Sequence, residues 1–494
     1  MSHITQGPEQ QRLGGARKLT LVDAVAQSVG FMGPVFSIAF LIPLLVGLNA
    51  SGKGAGAAAP LSVLIAAVGV LSIGWIVAEY ARRIQAAGSL YDYVSDGLGK
   101  RIGAASGLLY YLGILALGSA ILVLIGGTLH DTIQSEFNST PLPEAAWDAL
   151  LCVGVAAILY FGVALSTRSQ LVLALISLTV VLGFFIYLIV AAGSANDVGK
   201  AFSPSTSPQG LNGVLFGVLY GVLLFTGFET AANLGEETAH PKRDIPRAVI
   251  IAVLAIGGYY IVGAYAQVAG YHFNVDAIGQ NASAPLFGLA GPSSAGGFGS
   301  VALRQLVELV VILDMLAVLI GISVSGSRGL FAMARDRRLP RGMAKVSNRG
   351  IPMIASAVVV AIYVLDVVVT QTWSGLFALP ETPHYAAMFS WLSTFGSFAL
   401  AAIYLLMSAG AIRGLSDHPR RWAVYVAAIV AILVTGSALF GSIYKVGKPT
   451  IYAPYAGIGV FAVGLLLTFV FNGKVRQVTR FTELTPAEQG PLKI

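Results

Sequence analysis

Long apolar segments, separated by short polar stretches, make up most of the chain. They fall at about residues 20–46, 60–83, 101–130, 146–166, 170–193, 211–235, 246–270, 303–334, 352–372, 385–410, 422–442 and 451–472. Each is near the length of roughly 20 residues that an α-helix needs to cross a bilayer. The pattern therefore predicts about twelve membrane-spanning helices, named here spans one to twelve.

The composition supports a membrane protein. Of the 494 residues, 56% are hydrophobic and only 11% are charged, whereas soluble proteins carry about 25% charged residues. We therefore predict an all-α polytopic protein whose surroundings are a lipid bilayer.

Charge placement predicts the orientation of the chain and excludes nucleic acid as a partner. Most of the 30 lysines and arginines fall in the loops on the side that carries both termini. Because such residues collect in cytoplasmic loops, residues 1–18 and 473–494 are predicted to be cytoplasmic tails of a protein of the cell (plasma) membrane.

Span six carries polar residues in its interior. Residues 211–228 carry no charge and are mostly apolar or small, but Thr226 and Gly227 near the end of this stretch, and Glu229 just after it, lie where the span should continue. Glycine weakens a helix by about 1 kcal/mol relative to alanine, and a carboxylate at bilayer depth must face protein or water. The cluster predicts a broken helix, as found at the substrate sites of secondary transporters.

Span one shows a second interruption. Gly30, Gly33 and Pro34 cluster near its middle, and a proline inside a helix removes a hydrogen bond and clashes with the preceding turn. We therefore expect helices 1 and 6 both to be discontinuous.

The two interrupted spans each begin a block of five. Residues 19–193 hold spans one to five, and residues 211–410 hold spans six to ten. Interruptions at matching places in two halves indicate a repeat with a site at the bilayer midplane. Spans eleven and twelve, residues 422–472, lie outside this 5+5 inverted-repeat core and are predicted to be peripheral, in either a monomer or a homodimer.

Span six also carries a row of small residues. Gly213, Gly217 and Gly221 recur at a spacing of four residues. Such rows let two membrane helices approach closely, so we predict a packing role for them.

Three stretches resemble one known family, the amino acid–polyamine–organocation (APC) superfamily of transporters. They read AEYARRIQAAGSLYDYVSDGLG at residues 78–99, FTGFE at 225–229 followed by EETAHPKRDIPR at 236–247, and SRGLFAMARDRRLP at 327–340. The resemblance covers about residues 20–410. It implies a 5+5 inverted-repeat fold, alternating access, and amino acids or related amines as substrates.

Two positions depart from the pattern of that family. Its first break usually reads Gly-Ser-Gly, but this chain has Met32, Gly33 and Pro34, and Pro34 has no amide to donate. Many members carry a lysine in span five, where this chain has Ser177. A lysine-based account of proton coupling then does not carry over.

The two breaks suggest a binding site for a zwitterion. Free amides at Gly30 to Gly33, at the positive end of a half-helix dipole, suit a carboxylate. Free carbonyl groups of Phe225, Thr226 and Gly227 suit an ammonium group. Apolar walls for the substrate side chain are expected from Phe31, Met32, Phe225 and Phe228, although aromatic residues in a helix more often serve ordinary packing.

Glu229 has two interpretations. It either bonds free amides of the interrupted helix and is structural, or it titrates during transport or contacts a cationic substrate. Asp314 and Asp366 also lie within spans, where each can face a water-filled cavity.

Ser323 and Ser327 are candidates for ion coupling. They lie four residues apart on one face of span eight, where their hydroxyl groups can bind Na⁺ together with carbonyl groups of span one. The alternative is that each bonds its own backbone or a neighbouring helix. The coupling ion, H⁺ or Na⁺, stays open.

The sequence thus predicts a secondary active transporter of amino acids with neutral or apolar side chains. An exchanger or a transporter of polyamines or other amines is the alternative, and a non-transporting sensor or a membrane-embedded enzyme is less favoured. The chain shows no phosphate-binding loop, no nucleophile–base motif and no histidine pairs that suit a metal. We therefore expect neither enzymatic activity nor a cofactor.

Overall fold

The computed structural model describes residues 19–47, 54–84, 90–139, 141–161, 163–235, 238–279, 284–347, 350–379, 382–444 and 446–470. Within these residues the chain is helical, and its only β-bridges are isolated pairs. Twelve helical segments are long and apolar enough to cross a membrane. The expected all-α fold with twelve spans is confirmed.

The first block contains seven of the helices. They are α1 (Leu21–Met32), α2 (Pro34–Val46), α3 (Ala59–Ala81), α4 (Leu90–Leu98), α5 (Lys100–Phe137), α6 (Glu144–Phe161) and α7 (Val163–Ala192). Span one consists of α1 and α2, and spans two to five are α3, α5, α6 and α7.

The remaining helices follow a short linking helix, α8 (Val198–Ala201). They are α9 (Leu211–Leu224), α10 (Pro241–Gly270), α11 (Val275–Gly279), α12 (Pro285–Ala290), α13 (Val301–Arg335), α14 (Met353–Thr372), α15 (His384–Gly414), α16 (Arg421–Ile443) and α17 (Tyr452–Val470). Span six begins with α9, and spans seven to twelve are α10, α13, α14, α15, α16 and α17.

Span one breaks where the sequence predicts. A capping box between Thr20 and Asp23 starts α1, and Gly33 ends it in the left-handed conformation with φ of 53°. Pro34 then occupies the first position of α2, where its missing N–H costs nothing. The helix therefore stops and restarts around one glycine.

Span six breaks in a similar way. Its first half, α9, ends at Leu224, and Gly227 has φ of 108°. The second half is a 3₁₀-helix, Phe228–Leu234. The expectation that helices 1 and 6 are discontinuous is confirmed.

The interrupted spans lie inside the bundle. In the most apolar 18-residue stretch of span one, 94% of the residues are buried, and in that of span three 89% are buried. In spans four and twelve the buried share is 22% each. The least buried spans present apolar side chains outwards, as a bilayer requires. Span six, at 72%, is also more buried than spans four and twelve, so both breaks lie among other helices.

The glycine row of α9 packs as predicted. A Cβ atom at Gly217 would lie 2.7 Å from Ser62 Oγ, and one at Gly221 would lie 2.7 Å from Ala66 Cβ. Ser62 also donates a hydrogen bond to the carbonyl of Val214. Only glycine allows α9 to approach α3 so closely.

The helix α4, outside the spans, is not anticipated by the sequence. Its Tyr91 donates to Asp336 at 2.7 Å, and the Arg338 guanidinium lies 4.4 Å from the centre of the Tyr91 ring. Burial, followed by the nearby charges of Asp92 and Asp336, raises the pKa of Tyr91 well above its usual value. Tyr91 is thus a neutral donor that fixes α4 to the end of span eight.

Some predicted features lie outside the described residues. These are both terminal tails, residues 85–89 of the first motif and residues 236–237 of the second.

Candidate functional site

A cavity lies where the two broken spans meet. Its empty space is about 380 Å³, including the part that opens to solvent. Five spans line it through Phe31, Met32, Phe36, Ser37, Leu41, Leu117, Ile121, Leu223, Thr226, Val318, Ile322, Phe389 and Ser393. These walls are apolar except for three hydroxyl groups, and none of the lining residues is charged.

Three of the predicted substrate-binding residues line this cavity, namely Phe31, Met32 and Thr226. Phe225 and Phe228 instead pack in the core, with ring centres 5.2 Å from Tyr260 and 5.6 Å from Tyr404 respectively. Both aromatic rings thus follow the packing interpretation.

The predicted glycines form the narrow backbone around the cavity. Gly30 is buried within α1. A Cβ atom at Gly33 would lie 2.0 Å from Val318 Cγ2, and one at Gly227 would lie 2.2 Å from Phe31 Cδ1. The backbone at each break therefore lies in close contact with a side chain of the cavity wall.

The amides at the break of span one are differently placed from those we expected. Gly33 N donates to Val29 O at 3.3 Å as the last bond of α1, so the amides of Gly30 to Gly33 belong to that helix. The amides that have no backbone acceptor are those of Val35 and Phe36, at the start of α2. Both donate to Asp314 Oδ2, at 2.9 and 2.8 Å.

The same break leaves three carbonyl groups, those of Gly30, Phe31 and Met32, without their usual helical donor. The carbonyl of Gly30 faces the position of Pro34, which has no N–H, and the amide that would serve Phe31 belongs to Val35, which bonds Asp314. The carbonyl of Met32 accepts from Ser37 Oγ at 2.9 Å. The negative end of α1 can therefore receive an ammonium group.

At the break of span six, two of the three carbonyl groups expected to bind an ammonium are already engaged. Gly227 O accepts from the amide of Thr230 at 3.0 Å and from its hydroxyl at 2.7 Å. Phe225 O accepts from Phe228 N at 3.2 Å. The tight 3₁₀ geometry brings these donors back onto the break.

Ser28 joins the two breaks, and nothing in the sequence pattern indicates it. Its hydroxyl donates to Phe228 O at 2.8 Å and accepts from Ala231 N at 3.2 Å. The side chain is fully buried. It attaches α1 to the 3₁₀-helix at two points.

Glu229 lies beside the break of span six and is completely buried. It accepts from Gly227 N at 3.2 Å and from the hydroxyl of Tyr110 at 3.1 Å. A carboxylate that bonds an amide of the break corresponds to the structural interpretation of this residue.

Ser323 and Ser327 both turn towards their own helix. Ser323 Oγ donates to Leu319 O at 2.6 Å and lies 3.1 Å from the hydroxyl of Tyr363, and Ser327 Oγ donates to Val324 O at 2.9 Å. Ser325, between them, accepts from Asn233 at 2.9 Å and joins span eight to span six. The alternative that the sequence left open, bonding to the backbone or to a neighbouring helix, describes this geometry.

The sequence did not predict the lining residues on two sides of the cavity. Leu117 and Ile121 come from α5, and Phe389 and Ser393 come from α15. Both helices are uninterrupted and carry charged residues only near their ends, so no break or charge marks the turn that faces the site.

Twelve spans, two broken helices and a small, largely apolar cavity between the breaks define a multi-pass membrane protein of the transporter class. The sequence profile of the amino acid permease family matches residues 28–414. The chain belongs to this family, and the resemblance to the APC superfamily is confirmed.

Curated relatives are transporters. The chain is 28% identical over 463 residues to an uncharacterized transporter of Mycobacterium tuberculosis, covering 91% of each chain. It is 25% identical over 356 residues to the branched-chain amino acid permease BcaP of Lactococcus lactis, covering 68% of this chain and 72% of the relative. It is 27% identical over 374 residues to the vacuolar cationic amino acid transporter 4 of Arabidopsis thaliana, covering 72% and 58%.

A crystal structure of the Eremococcus coleocola manganese transporter shares the fold. It aligns with a TM-score of 0.55 and 14% identity over 93% of this chain and 95% of that one. Among the residues described for this chain, no group of three or more His, Cys, Asp or Glu side chains could hold a metal ion. At 14% identity the likeness concerns the fold alone.

Proposed function

We propose that the protein is a secondary active transporter that moves amino acids with neutral, apolar side chains through the cavity between its two breaks. The observation that carries this proposal is the cavity itself: its walls are apolar, uncharged and built on both interrupted spans. An apolar pocket with a few polar groups is suited to a small substrate whose side chain is hydrophobic. The relatives named for branched-chain amino acids support the same substrate class.

The proposal also covers the transport mechanism and the placement of the chain in the membrane. Residues 19–193 and 211–410 act as two inverted repeats that alternate access to the cavity, and residues 422–472 are peripheral. The protein resides in the cell membrane with both termini in the cytoplasm. Its substrate lies against Phe31, Met32 and Thr226, with its ammonium group at the carbonyl groups of Gly30 and Phe31.

Counterflow in proteoliposomes tests the substrate class. Vesicles preloaded with unlabelled leucine, alanine, phenylalanine, glutamate, lysine or putrescine are given the same compound in labelled form. We expect exchange of leucine and phenylalanine and little exchange of glutamate, lysine or putrescine, because the described cavity walls offer no charged partner. Equal exchange of the charged compounds would contradict the apolar assignment.

A filled cavity tests the site. Ile121→Phe adds volume to the cavity wall, so we expect exchange of leucine to fall about tenfold or more, the scale on which a hydrophobic pocket discriminates by size, while exchange of alanine is largely kept. The matched control is Ile125→Phe, one turn along α5, at a buried position that does not line the cavity. If both variants lose exchange equally while still folded, the substrate does not occupy this cavity.

A further inference from the structure

Asp314 is the acceptor for the second half of span one. It lies in α13, fully buried, and its Oδ2 accepts from the amides of both Val35 and Phe36. Pro34 has no amide, and Ser37 N is engaged by Gly33 O at 2.8 Å. Asp314 therefore occupies all the donors that the start of α2 offers, at the positive end of that half-helix.

The other oxygen of Asp314 is unsatisfied. Oδ1 is buried and has no hydrogen-bond partner in the described part of the chain, and the same holds for the hydroxyl of Tyr259. Tyr259 and Tyr260 are the titratable groups that face Asp314 from α10. No charged side chain among the described residues of α1, α2, α5, α7 or α14 faces it.

This environment makes the ionised form of Asp314 dependent on two amides. An ionised carboxylate with an unpaired oxygen costs several kcal/mol in a protein interior unless partners compensate. Here the compensation comes from Val35 N, Phe36 N and the half-helix behind them. If another anion took these amides, Asp314 would be stable only in its protonated form.

The substrate cavity lies beside the start of α2, which carries these amides. Phe36 and Ser37 line it, and so does Val318, one turn along α13 from Asp314. None of the residues that line the cavity is cationic. The cavity walls otherwise offer only uncharged hydroxyl groups, so the amides of Val35 and Phe36, at the positive end of α2, are the donors best suited to a substrate carboxylate.

We propose that Asp314 couples transport to protons by exchanging places with the carboxylate of the substrate. The incoming carboxylate takes the amides of Val35 and Phe36, and the released Asp314 side chain binds one proton. When the substrate leaves, Asp314 returns to the amides and gives the proton up. One carboxylate always faces the half-helix, and one H⁺ moves with each zwitterion, so each cycle carries one positive charge.

The inference rests on the proposed function, since it requires a substrate with a carboxylate. The test uses the full chain in proteoliposomes, with the amino acid that gives the fastest counterflow as substrate, and compares wild type with Asp314→Asn. Asparagine keeps an oxygen that can accept from both amides but cannot take a proton. The matched control is Asp366→Asn, a carboxyl group of span nine outside the cavity walls.

With the membrane potential held at zero, we expect wild type to accumulate substrate about tenfold across a gradient of one pH unit, the limit for one proton per substrate. Asp314→Asn should show no accumulation but keep counterflow within about threefold of wild type, and Asp366→Asn should accumulate as wild type does. Accumulation by Asp314→Asn equal to that of wild type, or accumulation driven by Na⁺ in place of H⁺, would overturn the proposal.

A measurement on wild type alone keeps the proposal falsifiable if Asp314→Asn fails to fold. In weakly buffered detergent solution with a pH-sensitive dye, leucine should cause uptake of about one proton per protein. 3-Methylbutylamine, which is leucine without its carboxylate, should cause none. No proton uptake with leucine, or equal uptake with the amine, overturns this inference alone. Absence of counterflow with every amino acid would instead remove the proposed function and the inference together.

Discussion

Two buried carboxyl groups, Glu229 and Asp314, serve the two breaks at the scale of single residues. Glu229 takes one amide of span six, and its second oxygen is held by Tyr110. Asp314 takes two amides of span one, and its second oxygen is free. Because both oxygens of Glu229 are hydrogen-bonded and one oxygen of Asp314 is not, we assign a structural role to Glu229 and a coupling role to Asp314.

The structural role of Glu229 predicts a loss of stability without a loss of coupling. Glu229→Gln places an NH₂ group among donors, which leaves a buried donor unsatisfied and should cost about 1–3 kcal/mol. The expected result is a lower melting temperature of the detergent-solubilised protein, with proton-driven accumulation unchanged relative to counterflow.

Tyr110→Phe is the companion variant, because it removes only the hydroxyl donor to Glu229. We expect a smaller decrease in melting temperature than for Glu229→Gln. If Glu229→Gln abolished accumulation and spared counterflow, Glu229 would be a coupling residue and the structural interpretation would be wrong.

The breaks belong to the scale of helices. Gly30, Gly33 and Pro34 in span one, and Thr226 and Gly227 in span six, locate them from sequence because glycine and proline act on their own backbone. The side chains that bond the backbone amides at the breaks cannot be found in this way. Asp314 lies 279 residues from Val35, and the sequence marks it only as a carboxylate within a span.

Gly33 is the element-scale test of the first break. Alanine there is strained in two ways, because left-handed backbone costs a residue with a Cβ about 1–2 kcal/mol and the new Cβ would lie 2.0 Å from Val318 Cγ2. Gly33→Ala should therefore lower both melting temperature and counterflow. Val318→Ala in the same chain should restore part of the stability, because it relieves the contact but not the backbone strain.

The control for this pair is Val318→Ala alone, which enlarges the cavity without touching the backbone. If the double variant were no more stable than Gly33→Ala, the close contact between the break and α13 would not exist in solution.

At the scale of the whole molecule, the pattern of spans was predictable and the interior was not. Twelve apolar segments agree with twelve helices because the bilayer imposes length and hydrophobicity on each span separately. Ser28, Ser325 and Ser393 give no such signal, since a serine facing lipid, its own backbone or a cavity reads the same in sequence. Their roles depend on how the spans are arranged around one another.

Orientation is the whole-molecule prediction. In a Cys152→Ala background, a cysteine at Lys200 should react with a membrane-impermeant maleimide on intact cells, whereas one at Lys242 should react only after permeabilisation. Both side chains are exposed, so a difference in labelling reports the side of the membrane. The reverse pattern would invert the topology that the lysines and arginines indicate.

The glycine row on α9 has a mechanical consequence. Because α9 contributes only glycines to the contact at these positions, it packs closely on α3 along much of its 14 residues, a length of about 21 Å. Ser28 clamps α1 to the 3₁₀-helix at the far side of the break. We therefore expect any bending of span six to occur at the few residues around Gly227, between a half that packs on α3 and a half that is bonded to α1.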